Sequence, residues 1–261
     1  MRWKTNFRCL PNGLSDTMSK VTEELAGQVA LVTGASRGIG EAIAEALAAR
    51  GAHVVITART AGGLEELEDR IHAAGGSATI APLDLTDGDS IARLASAMAE
   101  RWQHLDMLVL NAAMLGTLTP VGAIDGKEFN KLLTLNLVAQ QALIANFDPL
   151  LRRAAHGRLL ALSTGVAREP RAYWGAYAAS KAALEVLVTS YGAEMRNISN
   201  VRTAILDPGG TRTQMRARAY PGEDPQSIKE PAAVGEFVAK LMVDGFDSTD
   251  FHALPKVMVE A

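Results

Sequence analysis

The feature that most constrains this chain is a turn. Thr33-Gly34-Ala35-Ser36-Arg37-Gly38-Ile39-Gly40 stands between an apolar, β-branched run at 28–33 (QVALVT) and a run with apolar residues at helical spacing at 38–50, closed by Gly51. A buried strand, a glycine-rich turn and a helix follow one another without a linker. Gly34 permits the tight turn, Gly38 lets backbone approach a pyrophosphate, and Gly40 lets helix and strand pack closely. The helix start offers free N–H groups and the positive end of its dipole to phosphates. An ordinary strand-to-helix connection is the alternative for this turn. A P-loop is excluded, because no Gly-Lys-Ser/Thr follows.

The same alternation continues along the chain. Strands are expected at 53–57, 78–83, 107–110, 158–162 and 201–206, with a last one near 252–259. Helices are expected at 64–74, 90–101, 126 to just before 157, 175–198 and 231–243. The strands show almost no polar alternation, which indicates a parallel sheet covered on both faces. Right-handed crossovers then give an α/β fold of one domain, a Rossmann-type doubly wound parallel sheet, whose ligands bind beside the carboxyl ends of the strands. No composition break or repeat marks a second domain, so 26–261 is expected to be one unit, with 1–25 a disordered leader in which Met18 offers an alternative start.

Composition narrows the partners. The 26 Lys+Arg against 29 Asp+Glu leave a net charge of −3, which calls for neither a nucleic acid nor an anionic membrane surface. No apolar run reaches the about 18 residues of a membrane helix. The one cysteine, Cys9, fits a reducing, cytoplasmic location. The five histidines show no ligand spacing, so no metal is expected.

Two further sites carry chemistry. A dinucleotide site preferring NAD places an acid about 20 residues beyond the glycine turn, to bind the ribose 2′-hydroxyl. Here Ala58 and Arg59 occupy that place, and Arg37 adds a second guanidinium from within the turn. Two cations and no carboxylate suit a 2′-phosphate, so NADP(H) is favoured over NAD(H). Tyr177-Ala-Ala-Ser-Lys181 begins a helix, where residues four apart share a face. An ammonium beside a phenol is expected to lower the tyrosine pKa from about 10 and make it a usable acid or base.

The glycine turn together with Tyr177-x-x-x-Lys181 resembles the short-chain dehydrogenase/reductase family, and the resemblance runs from about residue 26 onward. Asp84-Leu85 resembles that family's adenine-contacting acidic site, Asn111-Ala112-Ala113 its Asn-Ala-Gly, and Asn136 its helix asparagine; Pro208-Gly209 with Thr211 and Thr213 resembles its nicotinamide loop. With Gly34, Ser36, Arg37, Gly38, Ile39, Gly40 and Arg59, these are the implied cofactor contacts, joined by Tyr177 and Lys181. Ala113 departs from the family glycine. The position of the family serine, thirteen residues before the tyrosine, is Thr164, with Ser163 one before it; either hydroxyl is a candidate, Thr164 first. The usual Thr-Gly…Asp-Gly-Gly is not seen around 248–254, which leaves the last strand open.

The resemblance implies an oxidoreductase that passes hydride between nicotinamide and a small-molecule carbonyl or secondary alcohol. Tyr177 would be the general acid/base, Lys181 would bind the ribose, and Asn136 would hold a water linking Lys181 to solvent. A 3-oxoacyl-thioester reductase and a broad carbonyl reductase are both compatible, and a non-catalytic dinucleotide-binding regulator is the rival class. The substrate loop is placed at 211–230, where Arg212, Arg216 and Arg218 could meet an anionic substrate, and Tyr173 and Trp174 could wall the pocket. The resemblance also implies a homodimer or homotetramer, since the helices near 126–155 and 175–198 pair across subunits in similar proteins.

Overall fold

A computed structural model of the protein describes residues 21–255. The strands are β1 (Val29–Thr33), β2 (His53–Thr57), β3 (Ser77–Ile80), β4 (Met107–Leu110), β5 (Arg158–Leu162), β6 (Arg202–Asp207) and β7 (Asp250–Ala253). All pair in parallel, in the order β3-β2-β1-β4-β5-β6-β7. The helices are α1 (Gly38–Ala48), α2 (Gly62–Ala73), α3 (Gly88–Trp102), α4 (Gly126–Leu133), α5 (Ala139–Leu151), α6 (Gly175–Met195), α7 (Gln214–Ala219) and α8 (Pro231–Asp244). No helix among the described residues is long and apolar enough to cross a membrane.

The strands are apolar at nearly every position because both faces are covered, and the pleat sorts successive residues to opposite sides. Ala30, Val32, Val54 and Ile56 face α1, α2 and α8, with Leu47, Leu67 and Val238 among the helix residues there. Leu31, Val55, Leu108 and Leu159 face α3, α5 and α6, which contribute Met98, Phe147 and Val188. The strand order reverses between β1 and β4, and ligands of such sheets bind in the crevice beyond that switch point.

Several boundaries differ from those expected. Most of the expected leader lies outside the described residues, but Thr22 and Leu25 donate backbone N–H groups to Ala49 and Arg50, each at 2.8 Å, and Leu25 is buried, so the folded unit begins before residue 26. β3 spans Ser77–Ile80 rather than 78–83, although Ala81 and Leu83 still donate N–H groups to Ile56 O and Ala58 O, at 2.9 and 3.0 Å. The long helix at 126–157 is two helices joined by a π-turn over Thr134–Val138. The loop at 211–230 contains α7, capped by the Thr213 hydroxyl, which accepts the Arg216 N–H at 3.1 Å. β7 starts earlier than expected, and residues 256–259 lie outside the described ones.

Candidate active site

A cavity of about 1920 Å³ opens along the carboxyl ends of the strands. Drug-sized pockets span about 300–1,000 Å³, so this one has the scale of a larger ligand. Of the site residues expected from the sequence, all but Gly40 and Asn136 line it.

The glycine turn forms one end. A methyl group on Gly40 would overlap the Asn111 amide nitrogen and lie 2.5 Å from the Gly34 oxygen, so only glycine fits between α1 and β4. Gly38 has a φ of 63° and faces the cavity and Thr213. The turn is braced by Asn111, whose Nδ2 donates to Thr33 O at 2.8 Å and to Gly34 O at 3.2 Å. Exposed Arg37 and Arg59 both line the cavity, as does Ala58. Asp84 Oδ1 accepts the Thr86 N–H and hydroxyl, at 2.9 and 2.8 Å; those two bonds, aided by the Arg59 charge, hold the carboxyl below its ordinary range. The shape and donor set of this end fit a dinucleotide: a glycine-only surface, two guanidinium groups and a helix start whose Gly38 N–H is held by Glu41.

Tyr177 and Lys181 form the middle. They lie one turn apart on α6 and both are buried. Lys181 Nζ donates to Leu162 O at the end of β5, at 2.7 Å. Burial lowers the lysine pKa to about 8, against the pull of the Glu185 charge. The tyrosine departs from expectation: burial, with the Asp207 charge in the same sense, pushes its pKa up rather than down. The ammonium hydrogen-bonds a main-chain carbonyl here, and burial disfavours the phenolate.

The two candidate hydroxyls separate. Ser163 donates to Glu185 Oε1 at 2.5 Å, and Arg168 donates to the other oxygen, Oε2, at 2.9 Å. Thr164, half-buried on the cavity wall, has no side-chain hydrogen bond among the described residues. Asn136 sits in the π-turn with its amide engaged: Oδ1 accepts Met114 N at 2.8 Å, while Nδ2 donates to Met114 O at 2.9 Å and to Ser180 Oγ at 3.1 Å. It ties the segment after β4 to α6 at Ser180, the residue before Lys181.

The sequence profile of short chain dehydrogenases matches residues 28–224. This chain is a short-chain dehydrogenase/reductase. It is 34% identical over 223 residues to the uncharacterized oxidoreductase YciK of Escherichia coli, covering 84% of this chain and 88% of that one. A short-chain dehydrogenase structure from Pseudomonas syringae, described as putative, superposes with a TM-score of 0.85 at 36% identity, covering 89% of this chain and 97% of that chain. One from Shigella flexneri, complexed with NADP, superposes with a TM-score of 0.84 at 33% identity, covering 89% and 98%.

Three further residues of this dehydrogenase bear on the site without belonging to any of its motifs. Glu41 accepts the Gly38 N–H at 3.0 Å and pairs with Arg70, so a carboxylate occupies the start of α1. Asp207 accepts the Gly209 N–H at 2.9 Å and lines the cavity near Tyr177. Glu185 is four residues beyond Lys181, a spacing that places both on one helix face and was legible from that alone. Of the two expected wall residues, Trp174 lines the cavity. Tyr173 is exposed with a φ of 72°, and its carbonyl accepts the Thr119 N–H at 3.1 Å.

Proposed function

We propose that this short-chain dehydrogenase/reductase uses NADP(H) to interconvert a carbonyl compound and a secondary alcohol, with Tyr177 as proton donor and acceptor. The observation that carries this reading is the burial of Tyr177 and Lys181 side by side on the wall of the cavity that the glycine turn also enters. When bound, the nicotinamide supplies the hydride. The chain supplies position and a proton. Tyr177 is protonated at neutral pH in its buried setting, so a proton is present for a carbonyl oxygen that meets it. Thr164 is the hydroxyl available to hydrogen-bond the same oxygen, since Ser163 is committed to Glu185. Lys181 keeps a positive charge beside the reacting groups, and Asn136 holds the backbone around it.

NADP(H) is favoured by Arg37 and Arg59 at the cavity end where the sequence offers no acid after β2. Ala113 replaces a smaller residue on that wall and leaves the cavity open. We further propose that the chain works in the cytoplasm as a homodimer or homotetramer joined through α5 and α6.

The test is oxidation of NADPH, and of NADH in parallel, over a panel of ketones, quinones and 3-oxoacyl thioesters. Wild type is expected to turn over at least one carbonyl class with NADPH preferred. Tyr177→Phe is expected to lose turnover by a factor of about 100 or more, the scale of general acid catalysis, while NADPH fluorescence titration shows binding retained. Retained turnover in Tyr177→Phe overturns the assignment.

A further inference from the structure

The outer wall of the cavity bears on the substrate itself, an inference that rests on the oxidoreductase reading above. Three arginines, Arg212, Arg216 and Arg218, lie on that wall, and all three line the cavity. Two are already neutralised. Arg212 pairs with Glu230. Arg216 donates to both carboxylate oxygens of Glu223, at 2.6 and 2.8 Å, a forked geometry that leaves little charge for a ligand.

Arg216 has a different task. Its guanidinium lies 3.8 Å from the centre of the Tyr220 ring. Tyr220 lies against Trp174, with ring centres 5.6 Å apart, and Trp174 meets Tyr177 edge-on at 6.2 Å. This ladder fastens the loop that carries α7 to the start of α6, over the candidate catalytic tyrosine.

Arg218 is unlike the other two. It makes no hydrogen bond, ion pair or ring contact among the described residues. It follows Met215 by three residues on α7, so the two side chains share a helix face, about 4.5 Å apart along the axis. Met215 packs against the Val166, Tyr177 and Ala178 cluster together with Leu115 and Trp174. Passing outward from the tyrosine, the wall is therefore apolar first and then presents one guanidinium with no partner among the described residues.

We propose that Arg218 binds a carboxylate at the far end of the substrate: the substrate is a carbonyl compound, or the matching alcohol, with an apolar body and an anionic group remote from the reacting carbon. The apolar stretch takes the body, and Arg218 takes the charge. A forked guanidinium recognises a carboxylate with two parallel hydrogen bonds, which a neutral ester cannot reproduce.

The experiment compares para-acetylbenzoate with its methyl ester, using the NADPH-loaded enzyme and its Arg218→Gln variant. Wild type is expected to favour the carboxylate by about tenfold in kcat/KM, through KM, because the contact is made in ground state and transition state alike. In Arg218→Gln the ratio is expected to fall to about one. An equal or better ester in wild type, or a preference that survives in Arg218→Gln, overturns the proposal. Calorimetric binding of para-ethylbenzoate, which has no carbonyl to reduce, separates this proposal from the reading beneath it. Binding that disappears in Arg218→Gln, with no carbonyl turned over by wild type, would sink the oxidoreductase reading and leave the anion site standing. Binding indifferent to Arg218 sinks the anion site, whatever the turnover.

Discussion

Lys181 shows what the site costs the fold. A protonated lysine is held away from water with one carbonyl, Leu162 O, as its direct partner, and its pKa falls to about 8 from 10.5. Below that folded value both the native and the unfolded chain carry the proton, and the native state bears the full desolvation cost. Between it and the unfolded value the native lysine releases its proton while the unfolded one keeps it, so the unfolded state binds more protons and stability rises with pH. The rise should be visible from about pH 8 to about 9.5, before the unfolded tyrosines begin to ionise near pH 10. Lys181→Met is expected to be more stable than wild type near pH 7.5 by an amount on the order of 2–3 kcal/mol, to keep only the smaller rise that burial of Lys229 contributes, and to be inactive. Urea titrations at the two ends of this range, beside an NADPH-oxidation assay, check all three. A wild type whose stability is flat between them would mean that the lysine is not depressed.

At the scale of elements, what decides the site is how closely β1, α1 and β4 approach. Gly40 is the contact point, where a side chain would overlap the Asn111 amide that holds Thr33 and Gly34. Gly40→Ala is expected to destabilise the protein by about 1–3 kcal/mol, the usual cost of overpacking, and to weaken NADPH binding in step because the same turn faces the ligand. Thermal melts and a fluorescence titration test this; an unchanged melt would show that α1 can move off β4 freely. This part of the architecture was legible in the sequence, since QVALVT, the glycines and the helical spacing of 38–50 are all local signals. The elements that were misread depend on distant partners. The π-turn at Thr134–Val138 is stabilised by Asn136 reaching to Met114 and Ser180, bonds that no local period announces. α7 is a short helix whose only local sign is the Thr213 cap. The division of labour between Ser163 and Thr164 turns on Glu185, which lies on another element, and on Arg168, whose guanidinium also sits 3.3 Å from the centre of the Phe251 ring on β7. Motif spacing brings residues to the right strand ends; it does not say which hydroxyl a carboxylate has already claimed.

For the whole molecule, α6 leaves a second apolar face uncovered among the described residues. Its inner face, including Leu184, Val188 and Tyr191, packs against the sheet and α5, and the Tyr191 hydroxyl donates to Asp148 on α5 at 2.8 Å. Its outer face is also nonpolar: Ala179, Ala182, Ala183 and Val186 recur at helical spacing, and Val186 is 65% exposed. Val138, at the entry to α5, is 57% exposed. A helix that is apolar on both sides belongs in an interior, and small residues on the outer side allow a second helix to approach closely. The occupant proposed above is the same pair of helices from another copy, which a two-fold axis would place face to face. Val186→Glu puts a charge in the middle of that surface. Light scattering during size-exclusion chromatography is expected to show wild type at a multiple of 27.7 kDa and Val186→Glu shifted toward the mass of one chain, with the far-ultraviolet circular dichroism unchanged. Because Lys181 and Tyr177 sit on the inner face of the same helix, the smaller species should also lose activity through a less rigid α6, in proportion to the fraction dissociated across a dilution series. A variant that stays at the wild-type mass would show that α6 is covered by something else or left bare.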